Sequence, residues 1–408
     1  LGGVIFAENS TVSILGGDIK ENEAVVSVGS DTGVQSTGGG AVYLVDSTLD
    51  LAVKLQNNTA SSGGAIFARG ASVVTLNSGA QIVGNTAHSF GGGIYLIEEA
   101  TIEITDDTVE ISSNTADSFG GGIYVASTSV VTLDKGVILN NYITNTRKNK
   151  EGLLVYEGTD LYLNSGAHVV ISGAKVGADN LNDTTYEVYV GEKAVLEVIS
   201  CDILASVYVK QIKTAQETGF NSIILSDSAY IRRIYLNQYN FIAIENKLTS
   251  TRFDAGETID IHFGFYDPDD ATSIIDNTYI ARFNNMTTLK DNFICFNLVK
   301  HFKELEEYCI NRENRDGYAW LVIKEFAKII NINANGGTIT LDGKSASGNA
   351  SLVVENLQKR GSLKFLDDIT GVRLGYELSG RFIEEETNEI YSSYSPLPIY
   401  VITIKAEW

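Results

Sequence analysis

The first part of the chain consists of short stretches in which apolar and polar residues alternate, separated by glycine or polar turns. Each repeat opens with an aliphatic–aromatic pair, which recurs about every 30 residues. The pairs are Ile5-Phe6, Val42-Tyr43, Ile66-Phe67, Ile94-Tyr95, Ile123-Tyr124, Val155-Tyr156 and Val188-Tyr189. A second alternating stretch follows each pair, at 12–14, 49–51, 73–76, 102–104, 130–133, 161–163 and 195–198. This alternation predicts β-strands and argues against amphipathic helices.

A third element of the repeat ends in an asparagine in five coils. These residues are Asn22, Asn58, Asn85, Asn114 and Asn141. One asparagine per coil at the same corner predicts a ladder in which each side-chain amide bonds to the next. We interpret the five as structural residues and not as ligands for a bound group.

A repeat of this length cannot bury its own apolar side chains, so it must stack on its neighbours. Three short strands per repeat predict a parallel β-helix over residues 1–246, with coils about 4.8 Å apart. Crossovers between parallel strands are almost always right-handed, so a right-handed solenoid is expected.

Two segments carry a family resemblance. "GNTAHSFGGGIYL" and "SNTADSFGGGIYV" resemble the repeats of polymorphic outer-membrane proteins and related bacterial β-helix adhesins. In those families, Asn-x-Ala and Gly-Gly-Ala/Gly-Ile-Tyr mark successive coils. The resemblance covers about residues 1–246 and implies a β-helical adhesin-like surface protein, without identifying a ligand.

Residues 247–327 depart from the repeat, and we predict a cap or a small adjoining domain there, because an open β-helix end exposes unpaired strand edges. The segment "LKDNFICFNLVKHFKELEEYCINR" predicts a helix near 289–312. On one continuous helix, Cys295 and Cys309 would lie roughly 21 Å apart. A disulfide needs Cα atoms within about 7 Å, so these two could not bridge each other.

Residues 328–408 carry a second resemblance, to the internalin B-repeat (Listeria–Bacteroides repeat). The matching positions are Asn333-Ala334-Asn335-Gly336-Gly337, Gly375-Tyr376 and Ala406-Glu407-Trp408, whereas Gly380-Arg381 replaces the usual Gly-Trp. The resemblance implies a small β-grasp-like module that serves as a spacer or weak binding unit. The predicted fold class is therefore all-β-dominated: a right-handed parallel β-helix, a capping region containing a helix, and this module.

Composition limits the partners. The chain has 51 Asp and Glu against 30 Lys and Arg, a formal net charge of −21. Phosphate contacts need clustered basic residues, so we expect no nucleic-acid partner. We expect no transmembrane segment, because no apolar run reaches about 18 residues. The remaining candidate partners are host or cell-surface glycans or proteins, or further copies of the chain in a fibre.

The search for chemistry starts from the fact that some β-helices degrade polysaccharides. A lyase needs metal-binding carboxylates with a base, and a hydrolase needs two nearby carboxylates. The densest acidic pairs, Glu98-Glu99 and Asp106-Asp107, lie at predicted corners, where a solvated turn is the simpler interpretation. Four histidines and one acidic loop complete the candidates, and none forms a zinc or EF-hand pattern. These residues are His88, His168, His262, His301, Asp267, Asp269 and Asp270.

The function that these observations favour is a non-enzymatic surface protein segment: an adhesin, a stalk or a fibre component, extracellular or on the cell surface, without a catalytic residue, cofactor or metal site. The alternative is a secreted glycan-active β-helix enzyme, a polysaccharide lyase or hydrolase. An outward cleft with two or more carboxylates on neighbouring coils would favour the enzyme.

Overall fold

A computed structural model describes residues 3–24, 38–148, 154–178, 185–210, 220–236, 240–263, 278–299, 308–325, 329–355, 363–374, 377–385, 390–392 and 402–408. The chain divides into two compact units. Unit 1 comprises Leu1–His301 with Arg312–Val322, and unit 2 comprises Phe302–Asn311 with Ile323–Trp408.

Unit 1 is a parallel β-helix, which confirms the predicted fold class. The aliphatic–aromatic pairs form sheet A, in the order Ile5–Glu8, Val42–Val45, Ile66–Arg69, Ile94–Ile97, Ile123–Val125, Leu154–Leu163, Thr185–Val190, Asp202–Val209, Tyr230–Leu236, Ile259–Phe263 and Phe296–Val299, with Arg147–Lys148 beside Leu154–Leu163. The second stretches form sheet B, in the order Thr11–Ile14, Thr48–Leu51, Val73–Leu76, Thr101–Ile104, Val130–Leu133, His168–Ile171, Val195–Val198, Phe220–Leu225, Asn240–Ile244, Thr278–Phe283, Tyr318–Glu325 and Tyr308–Arg315. The right-handed sense remains a prediction.

Two shorter sheets complete the early coils. Sheet C contains Asp18–Lys20, Lys54–Gln56, Gln81–Val83, Glu110–Ser112, Val137–Leu139 and Lys175–Val176. Sheet D contains Glu23–Ala24, Thr59–Ala60, Thr86–Ala87, Thr115–Ala116 and Tyr142–Ile143. Sheet D was not predicted, because a strand of two residues is too short to show alternation. Each early coil therefore has four sides instead of three.

Alternation along the strands separates a packed interior from an aromatic stack. In sheet A, Val42 and Leu44 are fully buried, while Tyr43 between them stacks on the ring of Phe67 with centroids 4.6 Å apart. The stack continues from coil to coil, and the centroids of Tyr162 and Tyr189 lie 4.3 Å apart. Fully burying an aliphatic side chain of this size contributes about 1.5–3 kcal/mol, so interior burial is the main stabilisation of each coil.

The structure corrects the predicted register of one coil. The sequence interpretation placed Val155-Tyr156 in the aromatic position, whereas Tyr124 pairs with Tyr162, and Ile123 pairs with Leu161. The strand Leu154–Leu163 is long enough to contain both tyrosines, and a bulge separates Glu157 from Leu161. Because of the extra residues in this strand, the aromatic position is at Tyr162, six residues after the predicted Tyr156.

The predicted cap is also corrected. Sheets A and B continue past residue 246, because Ile259–Phe263, Phe296–Val299 and Thr278–Phe283 pair in parallel with preceding strands. A short helix, α1, spans Thr251–Asp254. The helix expected near 289–312 is contradicted where the structure describes that segment: α2 spans Met286–Asn292, a 3-10 turn spans Phe293–Cys295, and a strand begins at Phe296.

The end of α2 explains why the helix prediction failed. Phe296 and Leu298 are buried while Asn297 is exposed, a period of two that pairs as a strand. Strand geometry resumes at Tyr308, so helical spacing does not describe the separation of Cys295 and Cys309. Cys295 is a buried free thiol.

Unit 2 contains two small sheets around one apolar core. The larger sheet is ordered Ser351–Glu355, Ile329–Asn333, Ile402–Ala406, Phe382–Glu384 and Ile390–Tyr391, and the smaller one Lys344–Ser347, Thr338–Leu341 and Thr370–Val372. A 3-10 helix spans Lys364–Asp368. Trp408 packs on the core and donates its indole N–H to the Ala334 carbonyl at 3.0 Å.

Candidate functional site

The five predicted asparagines form one continuous hydrogen-bonded ladder. In each step, both the backbone N–H and the side-chain Nδ2 of one asparagine donate to Oδ1 of the next; for Asn85 to Asn114 both distances are 2.9 Å. The same pair of bonds joins Asn22 to Asn58, Asn58 to Asn85, and Asn114 to Asn141. From Asn58 onward, Nδ2 also donates to a carbonyl of an earlier coil, as from Asn114 to Ile82 at 2.8 Å.

The ladder lies inside the coils and not on their surface. Asn58, Asn85 and Asn114 are fully buried, and Asn141 is 3% exposed. Glycine makes room for these amides at the corner that opens sheet A. A Cβ on Gly122 would lie 2.9 Å from Nδ2 of Asn141 and 2.4 Å from the Asp160 carbonyl oxygen. From Asn58 to Asn141 each buried amide both donates to and accepts from the protein, so this part of the ladder is a stabilising element; Asn22, at its start, is half-buried.

The ladder ends on a carboxyl group that was not among the predicted residues. Oδ1 of Asp160 accepts from the backbone N–H of Asn141 at 2.9 Å and from its Nδ2 at 2.7 Å. Asp160 is 1% exposed. It does not continue the asparagine position; it lies immediately before Leu161, where the preceding coil has Gly122. The column of buried polar side chains therefore shifts at this coil, from the asparagine position before the corner to the glycine position that opens sheet A.

The new column continues along sheet A. Asp160 and Glu187 each precede a member of the paired residues Leu161 and Val188, and Oε2 of Glu187 accepts from the Ser206 N–H at 2.8 Å. Ser206 pairs in register with Arg233. The register then continues to Asp260 and Asn297, and Nδ2 of Asn297 donates to Asp260 at 3.0 Å. In earlier coils the equivalent positions are small, at Ala41, Ala65, Gly93 and Gly122.

Burial dominates the electrostatics of this column. Desolvation raises the pKa of Asp160 to about 7, although the hydrogen bonds from Asn141 act in the opposite direction. Desolvation likewise raises the pKa of Glu187 to about 8; the negative charge of Asp160 adds to the rise, and the Ser206 N–H and Arg233 oppose it. The pKa values of both carboxyl groups therefore lie near neutral pH, and burial is the main cause for each.

A cavity of about 460 Å³ opens beside the pair. It lies where sheet D ends at Tyr142–Ile143 and the strands of sheet A become longer. Its lining includes Asn141, Tyr142, Tyr156, Thr159, Asp160 and Glu187. Two carboxyl groups of raised pKa in a concave site can exchange protons or accept hydrogen bonds from a hydroxylated or cationic group.

The acidic pairs predicted as weak catalytic candidates lie elsewhere, in surface turns. Glu98 forms an exposed ion pair with Arg69, with Nη2 and Oε1 3.1 Å apart. Hydrogen bonds from Thr108 lower the pKa of Asp106, and Asp107 pairs with Lys135 at 3.1 Å. None of these groups lines the cavity.

The predicted histidines are not brought together. Nδ1 of His88 lies 3.4 Å from Asp117, Nε2 of His168 lies 3.4 Å from Glu197, and the His262 ring lies over Tyr235 with centroids 4.3 Å apart. His301, Asp267, Asp269 and Asp270 lie outside the described residues. Among those that are described, no three His, Cys, Asp or Glu side chains cluster as metal ligands. In the same part of the chain, no helix is long and apolar enough to cross a membrane.

Comparison with known proteins gives one match. Residues 53–69 and 108–126 are similar to the Chlamydia polymorphic membrane protein repeat. Both segments lie in the four-sided coils, and each begins just before sheet C and includes a ladder asparagine. No curated protein matches significantly. No solved structure matches significantly either. The match supports the first family resemblance and does not reach residues 328–408, whose likeness to the internalin B-repeat stays a prediction.

Proposed function

We propose that this chain is a non-enzymatic, extracellular or cell-surface protein segment: an adhesin, a stalk or a fibre component. The observation that carries the proposal is the continuous parallel pairing of unit 1, in which successive coils repeat one surface. Stacked coils extend in one direction and are held together by sheet hydrogen bonds, to which the amide ladder adds in the coils from Asn22 to Asn141. Similarity to a membrane-protein repeat supports a surface location.

The acidic surface supports the same proposal. A net charge of −21 keeps copies of the chain apart in solution and disfavours nucleic acid. Exposed faces can then serve weak, repeated contacts with glycans or proteins of a host or of neighbouring cells. The small unit at residues 328–408 would act as a spacer, in line with its B-repeat resemblance.

Surface location is tested on intact producing cells. Protease treatment of such cells should release peptides of this chain while an internal marker enzyme stays intact. If the peptides appear only after the cells are lysed, the surface role is wrong. The measurement does not depend on knowing a ligand.

The cavity specifically favours a second candidate, the glycan-active hydrolase. Asp160 and Glu187 place two carboxyl groups from neighbouring strands in the lining of one cavity, and their raised pKa values suit proton transfer near neutral pH. Their existing hydrogen bonds to Asn141 and Ser206 favour a structural role instead, because one oxygen of each carboxyl group already holds the protein backbone.

The two candidates are separated by an assay for products. The purified chain is incubated with neutral and acidic polysaccharides, with and without calcium, and reducing ends and unsaturated products are measured. The structural proposal expects no product. Product formation that is lost in Glu187→Gln, but kept in the exposed control Asp107→Asn, would establish the enzyme and refute the structural proposal.

A further inference from the structure

An arginine held between aromatic rings lies on the outward side of sheet B, far along the chain from the ladder. The Arg282 guanidinium lies over the ring of Tyr318, 4.6 Å from its centroid, and over the ring of Phe241, 5.3 Å from its centroid. Trp320 meets Phe241 and Tyr279 edge-on, with centroids 5.0 Å apart in both contacts. We call these five residues the arginine clamp; all of them belong to unit 1.

The strands fix the clamp. Arg282 pairs in register with Ala243, whereas its neighbours Ala281 and Phe283 are fully buried in the interior. Tyr318 and Trp320 flank the buried Ala319 on the strand Tyr318–Glu325 and point to the same side. The turn before this strand is Asp316-Gly317, with both residues at positive φ, the signature of a tight hairpin. The ring positions are therefore set by a sheet and not by a long loop.

Arg282 differs from Arg69 and Arg252, each of which pairs with a carboxylate. Within the described residues, neither a hydrogen bond nor an ion pair occupies its guanidinium. By contrast, Arg252 pairs with Asp202 at 2.6 Å, Arg69 pairs with Glu98, and Arg315 donates to the Tyr279 hydroxyl at 2.7 Å. A guanidinium carries five N–H donors at its edge, and contacts with ring faces use none of them. The N–H donors of Arg282 can therefore bind an anionic ligand, although the chain as a whole is acidic.

The rings around Arg282 offer apolar surface more than hydrogen bonds. The Trp320 indole N–H already donates to the Arg315 carbonyl at 3.2 Å, and the Tyr279 hydroxyl already donates to Glu313 and accepts from Arg315. Tyr318 is 38% exposed. A ligand at this place therefore meets one planar cationic fork beside flat aromatic faces, which fits a carboxylate attached to a rigid ring with apolar C–H faces.

The sheet argues against an extended peptide as the ligand. Thr278–Phe283 and Tyr318–Glu325 are interior strands of sheet B, because Asn240–Ile244 and Tyr308–Arg315 flank them. Their backbone groups face neighbouring strands, so a peptide could not add itself as a new strand at the clamp. A sugar ring needs no such edge.

We propose that the arginine clamp binds a carboxylate-bearing sugar, with the carboxylate on the Arg282 guanidinium and the sugar ring against Tyr318 and Trp320. The inference rests on the proposed function, because a surface protein is one that meets acidic glycans. Repulsion by the net negative charge is screened beyond about 8 Å at physiological ionic strength, so distant carboxylates oppose this contact only weakly.

Binding is tested on the purified whole chain with a methyl glucuronide, its neutral counterpart methyl glucoside, and acetate as probes, by isothermal titration. The glucuronide should bind at least tenfold more tightly than either of the other two. Arg282→Lys should weaken glucuronide binding about tenfold because it keeps the charge and loses the fork, and Arg282→Gln should abolish it. Tyr318→Ala should weaken the glucuronide and leave acetate unaffected.

Arg69→Gln is the matched control, since it removes an exposed arginine whose partner is Glu98, and its binding should equal that of the parent. Unchanged circular dichroism and urea midpoints establish that each variant is folded. Equal binding of the glucoside, equal binding of acetate, or full binding by Arg282→Gln would each overturn the inference. A chain found at the cell surface that fails this titration refutes the clamp alone and leaves the proposed function standing.

Discussion

Replacing Asp160 by asparagine should make the protein more stable at pH 8 and remove much of the pH dependence of its stability. Asparagine has an Oδ1 that can accept the same two bonds from Asn141, so the end of the ladder is preserved. What the substitution removes is an ionisable group whose pKa burial raises from 3.8 to about 7.

The sign and size follow from that pKa. A raised folded-state pKa contributes stability that is fully present below pH 3.8 and is lost as the pH rises through about 7. Between pH 5 and pH 8 the parent should therefore lose about 3 kcal/mol through this group, at 1.36 kcal/mol per pH unit up to the folded pKa. Asp160→Asn loses none of it. Because Asp160 also raises the pKa of Glu187, the variant should lose part of that second dependence as well.

Urea unfolding at pH 5 and pH 8 measures the change in the free energy of unfolding of the whole protein. Hydrogen exchange of the Asn141 amide measures the local stability at the end of the ladder, as a protection factor corrected for intrinsic exchange. Asp160→Ala is the informative contrast. It leaves the buried backbone N–H of Asn141 without an acceptor, at a cost of about 1–3 kcal/mol, while Nδ2 keeps its bonds to the Ile111 and Leu139 carbonyls. The variant should therefore be destabilised at both pH values. Asp107→Asn, at an exposed carboxylate, should follow the parent. An equal loss of stability in the parent and in Asp160→Asn between pH 5 and pH 8 would refute the assignment of a buried, protonated Asp160.

The remaining predictions concern the ladder and its corner. Asn114→Leu should lower the free energy of unfolding by about 1–3 kcal/mol for each neighbouring amide left unpaired, whereas Asn145→Leu, at an exposed position, should leave the urea midpoint nearly unchanged. Gly122→Ala should destabilise by about 1–3 kcal/mol, because its Cβ would crowd the Asp160 carbonyl and the Asn141 amide. A Cβ added at Gly16 would have no atom within 4 Å, so Gly16→Ala should leave the urea midpoint unchanged. Equal loss of stability in Gly122→Ala and Gly16→Ala would contradict the packing argument.

Much of the β-helix was predictable because its repeat is strict where the ladder exists. The asparagine spacing alone brings Asn58 to Asn141 into one line, and the structure gives these residues the expected bonds. The register failed at Tyr156 because Tyr162, six residues later, satisfies the same aliphatic–aromatic pattern. A bulge decides between them, and a bulge is set by packing across coils and not by local sequence.

The end of the ladder is marked in the sequence by a carboxyl residue at a position that is small in the earlier coils. Residues that open sheet A are small in four coils, and the change from Gly122 to Asp160 and Glu187 puts a carboxyl group where only a hydrogen atom fitted before. Their burial and raised pKa values depend on neighbouring coils, which no spacing rule supplies. The arginine clamp was missed for a related reason: Phe241, Arg282 and Tyr318 are distant in sequence and meet only through sheet order.

A side-chain oxygen that accepts two N–H groups is what the buried asparagine ladder has at its end. From Asn58 to Asn141, each ladder asparagine donates two N–H groups to the next residue of the ladder and accepts two from the asparagine before it. Asp160 ends the series because one of its oxygens accepts both donors of Asn141, and because it lies at the glycine position of the corner and not at the asparagine position. Within the ladder the same residue would fail: Nδ2 of Asn85 also donates to the Leu55 carbonyl at 3.0 Å, and an ionised aspartate there would place two acceptors face to face. The length of the ladder is therefore set by the position at which a carboxyl group first replaces glycine at the corner.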